Sequence, residues 1–318
     1  MHEVVATVWR NEVAESVHHG SVVALDADGE VAFTIGQPDV LMYPRSSAKP
    51  VQGTGMMRAG LGLDGELLAL SCASHPGEDF HIDGVRRILA GAGLTPDDLQ
   101  CTPALPMDEP SRLARLAEGA HPLPLYMNCS GKHAAMLATC ARNGWPTATY
   151  RDPRHPLQLT LRDTMAELSG EPVGTTGVDG CGAPLFGISL TGLARAFRHL
   201  ATAPDDSVEH TVGTAMRTYP EWVGGTGSEV ARLMRALPGA VAKDGAEGVH
   251  AIGLPDGRAV ALKIADGSGR ARSLVMVAAL RRLGVTANGL TELAEAPVLG
   301  HGEPVGAIRP DGELAKAQ

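Results

Sequence analysis

Four stretches of this chain gather side chains that can do covalent or metal chemistry. The first is Tyr43-Pro44-Arg45-Ser46-Ser47-Ala48-Lys49-Pro50. Ser46 and Lys49 are three apart, a spacing that sets a hydroxyl and an amine on one helix face, one turn apart. A desolvated lysine can accept the serine proton and make the hydroxyl a nucleophile for acyl transfer. The spacing alone is weak, because exposed Ser/Lys pairs are common on solvated helices. Pro50 is tolerated only in a first helical turn, so Ser46 is predicted at or just before a helix start. Free backbone N–H groups there can support an oxyanion. Ser47, two residues from Lys49, faces elsewhere.

The second stretch, Ser71-Cys72-Ala73-Ser74-His75-Pro76-Gly77-Glu78, follows a helical run. It reads as a helix end at which a side chain can be presented. The third, Met127-Asn128-Cys129-Ser130-Gly131-Lys132-His133, leads into the apolar run Ala134 to Ala138. It places Cys129, Lys132 and His133 at i, i+3 and i+4 near a helix N-terminus. Such a position lowers a thiol pKa and favours the thiolate, the form that attacks carbonyls or binds metal. In the fourth, Gly177-Val178-Asp179-Gly180-Cys181-Gly182-Ala183-Pro184, glycines around Asp179 and Cys181 imply a tight turn or a close backbone approach. The Cys129-to-Cys181 gap is unlike a zinc ribbon, so cysteine spacing gives no independent support for zinc. Lys263 stands as the one lysine in Val260-Ala261-Leu262-Lys263-Ile264-Ala265. It is a solvent-face residue or, if it points into a cleft, a base with a lowered pKa.

The positioning elements read as strands at both ends and helices between. Val4 to Val8 is β-branched, and Ser21 to Leu25 and Val31 to Ile35 flank an Asp-Gly hairpin signal. Residues 156–168, 190–200, 208–216 and 229–237 carry apolar residues at helical spacing. Residues 248–254 and 258–265 flank Pro255-Asp256-Gly257 as a second hairpin; a helix from about Ser273 to Leu283 and a strand at Pro304 to Ile308 follow. Each terminal group has too few strands to stand alone. The prediction is therefore α+β: one mainly antiparallel sheet built from N- and C-terminal strands, with packed helices and a helical lobe inserted over roughly residues 45–235 of a single domain (1–318).

Composition bounds the partners. The 318 residues are 44% hydrophobic and 20% charged, as in a globular protein, with a formal charge of −9 and no basic cluster. That balance argues against nucleic acid or an anionic membrane surface. The N-terminus reads as neither signal peptide nor anchor, and no run approaches the roughly 18 apolar residues of a membrane span. Five cysteines without a framework read as reduced thiols in the cytoplasm.

Taken together and in this order, YPRSSAKP, SCASHPGE, NCSGKHAAML and GVDGCGAP, with the strand containing Lys263, resemble the rhizobial-type L-asparaginases, also called asparaginase II. The resemblance spans residues 43–263 and implies a fold like the serine β-lactamases and glutaminases. It further implies hydrolysis of L-asparagine to L-aspartate and ammonia, in a homodimer. By residue, it implies two Ser–Lys pairs, Ser46 with Lys49 and Ser74 with Lys263, and a zinc site at Cys129, Lys132 and Cys181. It places Arg45, His133 and Asp179 near substrate or metal. In the implied reaction, Ser46 attacks the side-chain amide carbon and Lys49 takes its proton, giving an acyl-enzyme that water hydrolyses. Two other readings stay open: a glutaminase or other serine amidase on the same fold, and a non-catalytic protein that binds zinc or an amino acid.

Overall fold

The computed structural model describes residues 2–317, and the chain divides into two compact units. The first unit, Met1–Ser47, Ile188–Thr202 and Arg232–Gln318, is built on an eight-stranded sheet. Its strands are β1 (Glu3–Arg10), β2 (Val13–Leu25), β3 (Val31–Ile35), β6 (Val241–Gly245), β7 (Val249–Gly253), β8 (Ala259–Ile264), β9 (Pro297–Gly300) and β10 (Glu303–Pro310). They run in the order β6-β7-β8-β2-β1-β10-β9, all antiparallel, with β3 also on β2. The expected α+β architecture and shared terminal sheet are therefore present: β1 pairs β10 from Ala6↔Pro310 to Arg10↔Gly306.

Every residue of β7 is buried, and β2 is buried continuously from Gly20 onward. These strands read as apolar runs, because helices cover them. Helix α7 (Leu190–Thr202) buries Leu190, Leu193, Ala194, Phe197 and Leu200, the one-sided stripe that a sheet-facing helix needs. Each such large side chain contributes about 1.5–3 kcal/mol when fully buried. Gly253 lets α7 come close, since a Cβ there would stand 2.1 Å from Phe197 O. Helix α11 (Arg272–Arg282) packs against β8 and β10, and the short α12 (Leu290–Leu293) packs on α11.

Register sorts the polar residues of the sheet by face. Gly245, Val249, Lys263 and Ser21 oppose one another across β6, β7, β8 and β2, and Lys243, Ala251 and Ala261 form the next row on that face. Asp244, His250 and Leu262 point the other way. There Arg272 Nη2, at the start of α11, lies 3.2 Å from Asp244 Oδ2.

The second unit, Ala48–Gly187 and Ala203–Ala231, is helical. It holds α1 (Lys49–Arg58), α2 (Gly65–Ser71), α3 (Asp79–Gly91), α4 (Glu109–Ala117), α5 (Ser130–Asn143), α6 (Pro156–Ser169), α8 (Val208–Thr218), α9 (Pro220–Gly224) and a two-stranded ribbon, β4 (Thr176–Val178) and β5 (Pro184–Phe186). Helix α10 (Glu229–Ala236) carries the chain back to the sheet unit. Helix α5 is the centre of this unit: every residue from Ser130 to Cys140 is buried. Gly131 permits this, because a Cβ there would meet Leu70 O at 2.5 Å, at the end of α2.

Lys243, fully buried, donates to the Asp244 carboxylate. Burial pushes the Asp244 carboxyl pKa up, but Lys243 and Arg272 outweigh it and hold it well below the usual carboxylate range. A carboxyl depressed in the folded state stabilises the fold above its ordinary pKa, and the stabilisation fades as pH falls through the folded value. Asp244→Asn is expected to lower urea-unfolding stability at pH 7 by about 2 kcal/mol, leaving two buried cations short of their anion. The deficit should persist at pH 5, and equal stability of the two proteins at pH 7 would refute the ion-pair assignment.

Candidate active site

Ser46 lies in a single 3-10 turn, Arg45–Ala48, that runs directly into α1, with Pro50 in the first turn of that helix as expected. The turn is held on several sides. Ser47 N and Oγ both donate to Pro44 O, the hydroxyl at 2.6 Å, so Ser47 is buried and committed to structure. Arg45 takes the left-handed conformation, φ 53°, which costs a non-glycine residue about 1–3 kcal/mol. Its Nη1 stands 3.6 Å from Glu247 Oε1. Gly245, ending β6, lies against the same turn: a Cβ there would sit 2.6 Å from Pro44 O and 3.3 Å from Ser46 N. Ser46 is left half-buried.

Lys49 is the first residue of α1 and is only 1% exposed. Its Nζ donates to Ala73 O and, at 3.0 Å, to Ser74 Oγ. Ser74 follows the end of α2, where the sequence places a presented side chain. Its loop is pinned by backbone bonds, Ser74 N to Val223 O and His75 N to Asn128 O. The buried His75 ring adds Nε2 to Ser130 Oγ at 2.9 Å, and Ser130 passes its own proton to Leu125 O. The Ser74 loop is thereby tied to the start of α5.

Cys129 caps α5 and Lys132 and His133 follow on its first turn, as their spacing predicts. Cys129, Lys132, His133 and Cys181 are all buried. Lys132 Nζ donates to Cys181 Sγ at 3.3 Å. A hydrogen bond from Cys181, helped against burial by the Lys49 and Lys132 amines, holds the Cys129 thiol well below its usual range. The same bond and burial raise Cys181. The pair thus carries one negative charge, on Cys129, with Cys181 as its donor. Burial alone would neutralise Lys132, yet the charges of Cys181, Cys129 and Asp179 raise its pKa. Asp179 closes the β4–β5 turn, accepting from Gly180 N at 2.9 Å, with its other oxygen 3.7 Å from Cys181 Sγ. Lys49 is therefore common to two groups: Ser74 on one side and the thiols on the other.

Among the described residues, no three His, Cys, Asp or Glu side chains converge as a metal cage. A zinc held by Cys129 and Cys181 takes Lys132 as third donor. The donor chemistry fits: two sulfurs close enough to share a proton, and an amine bonded to one of them. The amine must lose a proton to bind.

Lys263 is half-buried on β8; its Nζ donates to Glu247 O at 2.6 Å. Burial and the neighbouring Arg45 lower its pKa, and Glu247 opposes them. Ser74, in the helical unit, has Lys49 as its lysine neighbour. Sequence reasoning missed Lys243, which stands on β6 two residues before Gly245, on the sheet face that Gly245 turns to the Ser46 turn. Its setting, Ala240-Val241-Ala242-Lys243, is as apolar as that of Lys263, so the same signal was present. It also missed Tyr150, whose hydroxyl is 2.6 Å from His133 Nδ1.

Among solved structures, this chain is similar to a β-lactamase from Mycobacterium bovis, at 15% identity over 84% of this chain and 95% of that one, TM-score 0.48. It is also similar to a Bacillus glutaminase, at 12% identity over 86% and 88%, TM-score 0.41. Comparison with curated proteins gives no match. The model of the L-asparaginase II family matches residues 6–310. That span contains all four reactive stretches and both terminal strands of the sheet, and the chain belongs to the L-asparaginase II family.

Proposed function

We propose that this chain is an amidohydrolase that converts L-asparagine to L-aspartate and ammonia through an acyl-enzyme on Ser46. The observation that carries the reading is the setting of Lys49. As a neutral amine it has two N–H groups, which Ala73 O and Ser74 Oγ accept. Its lone pair is then left for a further proton, and helical spacing places Ser46 one turn back along the same run.

In the proposed reaction the Ser46 proton moves to Lys49 Nζ as Ser46 Oγ bonds to the side-chain amide carbon. Backbone N–H groups at the helix start offset the oxyanion. The carbon–nitrogen bond then breaks, and the leaving nitrogen takes a proton from Lys49 by way of the Ser74 hydroxyl. Water, giving its proton to Lys49, attacks the ester; aspartate leaves and Ser46 regains its proton. Arg45 and Asp179 suit the α-carboxylate and α-ammonium of the substrate, respectively, by charge. Zinc, when bound by Cys129, Lys132 and Cys181, would supply a Lewis-acidic point that orients the substrate. Family likeness pairs Ser74 with Lys263; burial and the neighbouring Gly245 favour Lys243 as the second lysine. The Asp244 carboxylate keeps Lys243 protonated, so that its charge would help hold Lys49 neutral.

Ser46→Ala is expected to reduce ammonia release from asparagine at least about 10³-fold. Ser47→Ala should cost only about 1 kcal/mol of stability through its lost bond to Pro44 O and leave turnover near wild type. The opposite ranking would move the nucleophile to Ser47. Ammonia release from glutamine, assayed in parallel, separates a glutaminase; thermal stabilisation by asparagine without any ammonia would leave a binding protein.

Lys243→Met should lower kcat by about 10² or more, the usual scale of a lost proton-handling group, and Lys263→Met far less. A larger loss at Lys263 would restore the Ser74–Lys263 pairing.

Zinc analysis of purified protein should find metal in the wild type and little in Cys129→Ser or Cys181→Ser. Metal-free wild type with full activity would remove zinc from the function.

A further inference from the structure

His133 and Tyr150 form a buried chain whose proton positions can be worked out. The Gln100 backbone N–H donates to Tyr150 Oη at 3.1 Å. Tyr150 Oη lies 2.6 Å from His133 Nδ1. Burial raises the Tyr150 pKa further above neutrality, so the phenol keeps its proton. With the amide already donating to the oxygen, the phenol O–H points at Nδ1, which accepts. Burial also lowers the His133 pKa to about 4, leaving the ring one proton at neutral pH. That proton stands on Nε2, which is buried and has no aligned hydrogen-bond partner within the chain. The ring lies beside Cys181, within interaction range. Gln100 is itself fixed, its side chain bonded to Ala148 O and to Arg151 Nε. The two rings meet edge to face, centroids 5.5 Å apart and planes at 82°.

We infer that Tyr150, backed by the Gln100 amide, is a positioning residue that locks His133 in its Nε2–H tautomer. His133 is thereby a hydrogen-bond donor, aimed beside Cys181 at an anionic sulfur or a substrate oxygen, and is not a metal ligand. A buried N–H without a partner is unfavourable by about 1–3 kcal/mol. The fold tolerates that cost at a position where a ligand can satisfy it. The inference deepens the asparaginase reading in one respect: the donor acts on the substrate or sulfur at that site. The tautomer itself can be read without turnover.

Long-range ¹H–¹⁵N spectra of the histidine rings in the purified chain, assigned by His133→Gln, test it directly. Wild type is expected to show His133 protonated at Nε2 and bare at Nδ1 between pH 6 and pH 8, a window above its lowered pKa. A wild-type Nδ1–H signature overturns the inference, whatever the variants do. In Tyr150→Phe the Nδ1 acceptor loses its donor, so a mixture of tautomers should appear; an unchanged single tautomer assigns the lock elsewhere and refutes the role of Tyr150. For asparagine, Tyr150→Phe should lower kcat/KM about tenfold. His133→Gln, whose amide N–H₂ reaches the Nε2 position, should retain more activity than His133→Asn, and adding Tyr150→Phe to His133→Gln should cost little more. If the chain releases no ammonia at all but shows the Nε2–H tautomer, the lock stands and the hydrolase reading falls.

Discussion

The lysine amine at the start of α1 is the constraint on which the site depends. Lys49 is 1% exposed, and an amine removed from water is tolerated only if its N–H groups are met. Meeting them fixes the end of α2, because Ala73 O and Ser74 Oγ are the acceptors. Fixing the Ser74 loop in turn requires the start of α5, through His75, Ser130 and Asn128 O. Gly131 is the one residue that lets α5 approach α2 closely enough. A single buried nitrogen thus accounts for why three short motifs, distant in sequence, must be present together.

The same nitrogen shares its surroundings with a thiol pair that keeps one negative charge. Cys129 is the anion because it accepts from Cys181 and lies near two amines. That balance holds Lys132 as the ammonium, whereas a metal would require it neutral. Zinc and proton therefore compete for one electron pair at Lys132. The loss of two positive-to-negative contacts is offset only if the metal replaces them with stronger bonds to both sulfurs. His133 stands outside that exchange, because its Nδ1 lone pair is already engaged by Tyr150.

Much of this was legible in the sequence, for reasons that differ by residue. Pro50 placed the α1 start, and the i, i+3, i+4 set of Cys129, Lys132 and His133 placed the head of α5. The helices at 156–169, 190–202, 208–218 and 272–282 followed from apolar stripes that face a core. The first half of β2 escaped because Val13 to Val17 is exposed and polar in alternation with little burial to pattern it. Strand β6 escaped because its last residues, Lys243-Asp244-Gly245, read as a turn. The choice of Lys263 over Lys243 failed to use what only register supplies: both lysines share a face, and only the edge strand carries the fully buried one. Tyr150 could not be found from spacing, since a phenol seventeen residues from its histidine partner has no local signature.

The distinction between Ser46 and Ser47 also lies beyond composition and rests on backbone geometry. Arg45 at φ 53° turns the chain so that Ser47 folds back on Pro44 O and Ser46 does not. Left-handed Arg45 is uphill by about 1–3 kcal/mol, and Glu247, itself at φ 59°, supplies the facing carboxylate. Gly245 removes the Cβ that would collide with the turn. A regular helix start would need none of these devices. Three unfavourable or unusual features converge on four residues, and their joint result is one buried, occupied hydroxyl beside one half-buried hydroxyl. Such strain persists only where surrounding structure over-determines it, and here the half-buried hydroxyl it isolates stands one helical turn before Lys49.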